Sequence, residues 1–495
     1  MLKRQTFFRA FSIIAILTIG SKLLGFVREA IIASYFGTSI ASDMFYVALI
    51  IPTIAFTVIG TAIQGYLLPV YMEVKENQKD HKVFTQYSHL ILLFSFMLML
   101  LLMVFAKPIV MLMAPGFSDE QFDITSLLVF VMLPILLIMT INSLTQVVFH
   151  TNEHFTPPAL GAVLNNFITI IFILILYPFI ELYSLATAVL LGSMAQLGYQ
   201  YHLSSERFLF KGFQLKESLT YLKSLKPILP IIIAAIALQL NLVVDRIVAS
   251  FLEPGGIAAL NYSYRLLWIP LSILLIPIST IYYPKLSRLI KMNELEEYGS
   301  YLYSGFKVIV LLSIPLLIVM CFESNNLVNL VYERGAFGQD ATNRTAGAFY
   351  FYSLGLVFFG TREYFVQHFY ANKAYKQVML GSIIGVFFNI LLSILLAYYF
   401  GINGVALATS SSMLIQSVFF YIYIRRSYCT FDLSLLVRAS ITLSIIAFML
   451  WFFMPYYSNG YTFLSITITS LITFITFYIV HRKEITLMVR YLKGT

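Results

Sequence analysis

Long apolar stretches recur along the whole chain, and polar residues gather in the short segments between them. Each stretch is about 20 residues or longer, which is the length of a helix that crosses a bilayer. Continuous runs of this kind differ from the short alternating strands of a membrane β-barrel. The pattern predicts an all-α polytopic membrane protein with about fourteen transmembrane helices. The predicted spans are 10–35, 40–70, 83–106, 124–150, 157–178, 182–203, 227–251, 257–283, 299–321, 345–371, 377–399, 402–424, 434–454 and 461–480.

The composition agrees with this class, because 59% of the 495 residues are hydrophobic and 11% are charged. The net charge of +9 is distributed unevenly. If the N-terminus is cytoplasmic, 22 of the 32 lysine and arginine residues fall in segments on that side of the membrane. Lysine and arginine are enriched in cytoplasmic loops. The charge pattern therefore predicts membrane orientation with both termini in the cytoplasm, and it does not indicate nucleic-acid binding.

The sequence also repeats itself. EAIIASYF at residues 29–36 recurs as DRIVASFL at 245–252, and FHTN at 149–152 recurs as FYAN at 369–372. Six spans separate the copies, which predicts two parallel-repeat lobes of six helices followed by two C-terminal helices. A cavity between such lobes suits alternating access. The predicted divisions are an N-lobe at 1–203, a cytoplasmic amphipathic linker at 204–226, a C-lobe at 227–426, and the last two helices with a cytoplasmic tail at 427–495.

Several charged residues lie inside the predicted spans. Each costs roughly 2.5–3.5 kcal/mol at mid-bilayer on insertion scales, so such residues usually face a polar cavity. Arginine offers a rigid fork of donors that suits phosphate oxygens. The alternative is a set of buried ion pairs that only fasten one helix to another. We predict that Lys22, Arg28 and Arg265 bind an anionic substrate, that Glu29, Asp43 and Arg246 balance charge in the cavity, and that Asp245 could hold a cation.

No arrangement of residues indicates a catalytic nucleophile, a phosphate-binding loop or a zinc site. His150 and His154 favour an interfacial cap over a metal site, and Arg362 with Glu363 favours a local pair. A membrane glycan polymerase would need an acid or base in an outer loop, for which Glu333 and Asp340 are candidates. The prediction is a transporter rather than an enzyme, with no cofactor and no catalytic residue.

Five motifs resemble the MurJ (MviN) family of lipid II flippases, within the multidrug/oligosaccharidyl-lipid/polysaccharide exporter superfamily. They are S-K-L-L-G-F-V-R-E-A at 21–30, S-D-M-F at 42–45, A-P-G-F at 114–117, N-Y-S-Y-R-L at 261–266 and Y-E-R-G-A-F at 332–337. The resemblance implies that Lys22, Arg28 and Arg265 meet the diphosphate of an undecaprenyl-linked precursor. It also implies that Asp43 lies in the same cavity and that Asp245 corresponds to an acidic residue proposed as a cation ligand. The last two helices would form a groove for the polyprenyl tail.

From these observations we expect a flippase that moves lipid II from the inner to the outer leaflet of the bacterial cytoplasmic membrane. Transport would be coupled to Na⁺, H⁺ or the membrane potential, in a monomeric protein that could associate with the cell-wall synthesis machinery. The alternative is a flippase for another lipid-linked oligosaccharide. It is left open because residues 54–59 are uncharged where the family carries charges. A second departure, A-Y-K-Q-V at 374–378 where the family usually has D-T-K-T-P, concerns the sodium site rather than the substrate.

Overall fold

The computed structural model describes residues 7–76, 82–204, 220–221, 228–427, 434–457, 462–482 and 484. Within these ranges every regular element is a helix, and nine helices are long and apolar enough to cross a membrane. Each of the fourteen predicted spans coincides with a helix or with two helices in series, and most ends agree within a few residues. The all-α polytopic fold class is therefore confirmed.

The chain forms two compact units, of which the first comprises Met1–Gly255. A π-helical turn at Ile63–Leu67 joins its second and third helices. Within this unit α1 packs on α8, α8 packs on α9, and α2 packs on α6, α7 and α10. Its described helices are α1 (Phe7–Phe36), α2 (Ile40–Ala62), α3 (Leu68–Glu76), α4 (Lys82–Val104), α5 (Ala106–Met113), α6 (Asp119–Met132), α7 (Pro134–Thr151), α8 (Thr156–Ile180), α9 (Tyr183–Leu203) and α10 (Ile228–Ser250).

The second unit comprises Gly256–Thr495. A π-helical turn at Leu271–Leu275 again interrupts its first long helix. Its described helices are α11 (Gly256–Pro270), α12 (Ile276–Lys291), α13 (Leu295–Phe322), α14 (Ser324–Tyr332), α15 (Gln339–Leu354), α16 (Leu356–Ala371), α17 (Tyr375–Phe400), α18 (Ile402–Ser427), α19 (Ser434–Tyr457) and α20 (Thr462–Val480). Here α11 packs on α15, and the C-terminal helices α19 and α20 both pack on α13.

Local sequence signals explain where the helices end. Gly37 and Gly401 follow helix ends with φ of +56° and +57°, a conformation that glycine adopts without steric cost. At the start of α6, the Ser118 hydroxyl accepts a bond from the Gln121 backbone N–H while the Gln121 side chain accepts one from the Ser118 N–H. This reciprocal pair satisfies two backbone donors that would otherwise lack helical partners.

Conformations that are unusual for the backbone recur at the spacing of the sequence repeat. Glu153 and Lys373, 220 residues apart, both have positive φ, and so do Glu181 and Gly401 at the same spacing. The sequence repeat is therefore accompanied by a repeat of local backbone structure. The predicted linker at 204–226 lies almost entirely outside the described residues, so the predicted lobe boundaries stay predictions.

Candidate functional site

A buried ion pair lies within α1. Arg28 Nη2 is 2.9 Å from Glu29 Oε1, and the two side chains are 16% and 1% exposed. Adjacent residues of a helix point about 100° apart, so the long arginine side chain has to turn back to reach the carboxylate. Because charges inside a membrane protein are usually paired or directed toward a polar space, this turn of α1 is the first candidate for a functional site.

Tyr46 connects this ion pair to α2. Its hydroxyl donates a 2.8 Å hydrogen bond to Glu29 Oε2, and its side chain is buried. Each carboxylate oxygen of Glu29 therefore accepts at least one bond. An ion that accepts hydrogen bonds at both oxygens is less costly to bury than an unsatisfied one.

Asn166 connects the same ion pair to α8. Its Oδ1 accepts a 3.1 Å hydrogen bond from Arg28 Nη1, while its Nδ2 donates to the Ser21 carbonyl at 3.2 Å. Polar contacts thus run from α8 through Arg28 and Glu29 to α2. We call these four residues, Asn166, Arg28, Glu29 and Tyr46, the α1 relay. The sequence analysis did not identify Asn166, although an asparagine within an apolar span is itself a signal of an interhelical hydrogen bond.

The relay explains the spacing of the motif at residues 21–30. A Cβ atom placed on Gly25 would lie 3.6 Å from Asn166 Oδ1, at ordinary van der Waals distance, so Gly25 lies directly beside the amide. Ser21, Gly25 and Arg28 follow one another at intervals of four and three residues and therefore share one face of the helix. That face is the one that meets Asn166. The motif has a structural role here beside any role in binding.

Lys22 and Asp43, also predicted at the site, belong to the same unit. Lys22 is exposed on α1, two helical turns before Glu29. Asp43 is 2% exposed, and its Oδ2 accepts a 2.6 Å hydrogen bond from the Gly255 N–H. Gly255 has a φ of +85°, and a Cβ there would lie 2.0 Å from the Thr38 carbonyl oxygen. Asp43 thus fastens the segment after α10 to the start of α2, and its predicted role in charge balance stays a prediction.

Asp245 and Arg246 are adjacent on α10. Asp245 is buried, whereas Arg246 is partly buried and donates a 2.9 Å hydrogen bond from Nη1 to the Leu242 carbonyl. This bond holds the arginine along its own helix. The role of Asp245 as a cation ligand stays a prediction.

Arg265 lies on α11 in the second unit. It is exposed, although the neighbouring Leu266 and Leu267 are buried. A guanidinium carries a planar fork of donors that suits phosphate oxygens. Its substrate role stays a prediction.

The motifs at 114–117 and 332–337, which the sequence predicts to lie in outer loops, dock onto helices within their own units. A Cβ on Gly116 would lie 1.9 Å from the Ser250 carbonyl oxygen, so the first loop closely approaches the end of α10. In the second loop the rings of Tyr332 and Phe337 lie 5.1 Å and 5.6 Å from that of Tyr262 on α11. These contacts give both motifs a packing role.

Glu333, a candidate acid for a glycan polymerase, is engaged by its neighbours. Its Oε2 accepts bonds from Asn329 Nδ2 at 2.6 Å and from the Thr342 hydroxyl at 2.7 Å. The adjacent Arg334 donates to the carbonyls of Leu330 and Val331 at the end of α14. The loop is thus held by local hydrogen bonds, as expected of a helix end.

Two further predictions concern local polar contacts. Arg362 forms a salt bridge with Glu363, which supports the local pair expected from the sequence. The His150 ring lies 5.5 Å from that of Phe155, and Asn152 Oδ1 accepts a 2.7 Å bond from Lys75, which fits an interfacial cap. Among the described residues no group of three or more His, Cys, Asp and Glu side chains could hold a metal ion.

The chain matches the model of a known protein family. Residues 32–475 match the family model described as "Lipid II flippase MurJ". A protein named "Probable lipid II flippase MurJ" from Buchnera aphidicola subsp. Acyrthosiphon pisum is 29% identical over 80% of each chain. The protein of the same name from Treponema pallidum is 24% identical over 93% of this chain and 91% of its own length.

Solved structures agree with the sequence comparison. A lipid II flippase MurJ in an inward closed conformation superposes with a TM-score of 0.83 at 25% identity, covering 95% of this chain and 99% of that one. An inward-facing multidrug transporter of the MATE family, from the MOP superfamily, has a TM-score of 0.68 at 14% identity, covering 83% of this chain and 97% of its own. The second likeness concerns the fold alone.

Proposed function

The chain belongs to the lipid II flippase MurJ family, and from this premise we propose that it transfers lipid II from the inner to the outer leaflet of the bacterial inner membrane by alternating access. The observation that carries the proposal is the family match over residues 32–475, which includes the last residues of α1 and the whole of α2 and α8. Lipid II is an undecaprenyl-linked diphosphate, so its polar part is anionic.

The α1 relay supplies a mechanism by which an anion could act on the helices. Arg28 is bound to Glu29 and Asn166 in this structure. A diphosphate competes with the Glu29 carboxylate for the Arg28 guanidinium, because both are anions that form charge-assisted hydrogen bonds with it. Once Arg28 turns to the diphosphate, the link between α1 and α8 is broken. Substrate binding would thereby free α1 to move relative to its neighbours.

The remaining predicted site residues are given roles according to the sign of their charge. Lys22 and Arg265 contribute positive charge for the diphosphate, whereas Glu29, Asp43 and Arg246 balance the charge around it. Asp245 is proposed as a cation site. Coupling of transport to Na⁺, H⁺ or membrane potential is proposed on energetic grounds, since moving one elementary charge through 100 mV corresponds to about 2.3 kcal/mol.

We further propose that the protein acts as a transporter without catalytic chemistry of its own. Both termini would be cytoplasmic, as the lysine and arginine distribution favours. It would function as a monomer and could associate with the cell-wall synthesis machinery, which polymerises its product.

The test is complementation of a bacterial strain depleted of its own lipid II flippase. Wild type is expected to restore growth, whereas Arg28→Ala and Arg265→Ala are expected to fail at equal expression. Arg438→Ala is the matched control, because Arg438 is 65% exposed and its ion pair with Glu484 is a surface contact that contributes little. Equal rescue by wild type and both arginine variants would refute the cationic mechanism.

A specific observation favours one alternative substrate. Residues 54–59 of α2 are uncharged, and Thr53, Thr57 and Thr61 direct their hydroxyls to carbonyls four residues earlier at 2.7 Å. This face of α2 therefore offers fewer charged donors to a peptide-bearing headgroup than the charged residues of the family would offer at these positions. If well-expressed wild type fails to rescue the depleted strain, a flippase for another lipid-linked oligosaccharide becomes the leading proposal.

A further inference from the structure

Another buried carboxylate lies in the second unit. Glu323 occupies the junction between α13 and α14 and is 1% exposed. Its oxygens accept hydrogen bonds from the Ser465 hydroxyl at 2.9 Å and 3.1 Å, and from Asn326 Nδ2 at 2.7 Å. The Thr469 hydroxyl also donates to Oε1. We call these residues, Glu323, Asn326, Ser465 and Thr469, the Glu323 cluster.

The charge of this carboxylate is not neutralised by a basic side chain. Among the described residues, no lysine, arginine or histidine nitrogen lies within 4.0 Å of Glu323. Hydrogen bonds from neutral donors reduce the cost of burying an ion, but they do not cancel its charge. Buried charges in proteins are usually paired with a counter-charge or bound to a metal ion. The cluster therefore has one negative charge that a cation could balance.

The chemistry of the cluster points to the kind of cation. Its members offer carboxylate, hydroxyl and amide oxygens, and no sulfur or imidazole, which is a donor set that hard cations prefer. The Asn326 amide can present Oδ1 instead of Nδ2 by rotation about its last bond, because the assignment of its two atoms follows the hydrogen-bond network. Three side chains from two helices, α14 and α20, thus surround the Glu323 carboxylate. A single carboxylate balances a single positive charge, whereas Ca²⁺ sites generally use several carboxylates.

We propose that the Glu323 cluster is a binding site for Na⁺. Glu323 supplies the charged ligand, and the neutral oxygens of Asn326, Ser465 and Thr469 complete the shell. Ser465 and Thr469 are four residues apart and share one face of α20. Bound Na⁺ therefore fastens α20 to the junction of α13 and α14. This site is separate from Asp245 and does not depend on which substrate the protein carries.

The experiment measures the unfolding temperature of the purified full-length protein in detergent, with Na⁺ replacing choline at constant ionic strength. A ligand that binds only the folded state raises this temperature in a saturable way. We expect saturation with Na⁺ but not with K⁺ or choline. Glu323→Gln and Thr469→Val should each weaken the apparent Na⁺ affinity by about 10-fold or more, the scale on which metal sites respond to loss of supporting groups.

Two controls make the result specific. Glu333→Gln removes a carboxylate that also accepts amide and hydroxyl bonds but is only partly buried, and it should retain the full Na⁺ response. Asp245→Asn removes the other proposed cation site, and the part of the Na⁺ response that comes from the Glu323 cluster should persist in it. If Glu323→Gln does not fold, Thr469→Val alone decides, because valine preserves the shape of threonine and removes one oxygen.

Four outcomes would overturn the proposal. The first is a wild-type protein that shows no saturable Na⁺ response, and the second is an equal response to K⁺. The third is an unchanged Na⁺ affinity in both Glu323→Gln and Thr469→Val. The last is a response that disappears in Asp245→Asn while Glu323→Gln retains it, which would assign the ion to the other carboxylate.

Discussion

Replacing Asn166 by alanine should uncouple α8 from the charged residues of α1. The change removes the bond to Arg28 Nη1 and the bond to the Ser21 carbonyl. A hydrogen bond to a charged group contributes about 1.5–3 kcal/mol in soluble proteins. Interhelical bonds in membrane proteins average about 0.6 and reach about 1.7 kcal/mol. Because Arg28 is 16% exposed and keeps Glu29 as its partner, we expect a loss of about 1–2 kcal/mol in the free energy of unfolding.

The assay is a double-mutant cycle on the purified full-length protein, unfolded reversibly by a denaturing detergent. Arg28→Ala, Asn166→Ala and the double variant should give a coupling energy of about 1 kcal/mol or more, as expected for residues in direct contact. Asn165 provides the matched control. It is the same residue type on the same helix, but its Nδ2 donates a 2.8 Å bond to Gln196 on α9. Its coupling to Arg28 should stay within about 0.3–0.5 kcal/mol.

A second variant separates stability from substrate binding. Asn166→Asp places a second carboxylate beside Arg28, so the ion pairing of the arginine is strengthened while its attraction for a diphosphate falls. We expect this variant to bind lipid II more weakly than Asn166→Ala despite equal or better stability. Equal coupling energies for Asn165 and Asn166, or tighter lipid II binding by the aspartate variant, would refute the relay.

Two further predictions concern regions outside the relay. Gly116→Ala should destabilise the protein by about 1–3 kcal/mol in the same unfolding assay, because the added Cβ would lie 1.9 Å from the Ser250 carbonyl oxygen. Gly338→Ala is the control and should change the free energy of unfolding little, because no atom lies within 4 Å of the Cβ position there. Equal losses of stability in the two variants would contradict this packing account. His481, just after α20, is buried with Nε2 3.2 Å from the Thr442 hydroxyl, and its burial lowers its pKa in the folded state. The unfolded state therefore binds the proton more readily, so stability should be complete above about pH 6.5 and fall as the pH drops from there toward the lowered pKa. His481→Gln should remove that pH dependence, and a variant that keeps it would assign the effect to another group.

The sequence predicted the helices well because a bilayer imposes length and apolarity on each span. The end of α17 at Gly401 could also be predicted locally, because the backbone there needs a positive φ that glycine adopts readily. The repeat at a spacing of 220 residues was visible as sequence and recurs as backbone conformation at Glu153 and Lys373. Arg28 and Glu29 could be identified as candidates because charge inside an apolar span is costly wherever the helix packs.

The partners of those charges depended on the tertiary structure. Asn166 lies 138 residues from Arg28, and Gly255 lies 212 residues from the Asp43 carboxylate that accepts its N–H. Glu323 is joined to Ser465 across 142 residues. Hydrophobic periodicity shows which residues can enter the membrane and which are costly to bury, because those are properties of one helix and its solvent. Which distant side chain meets a buried charge is decided by the packing of helices against one another, and no local pattern encodes that geometry.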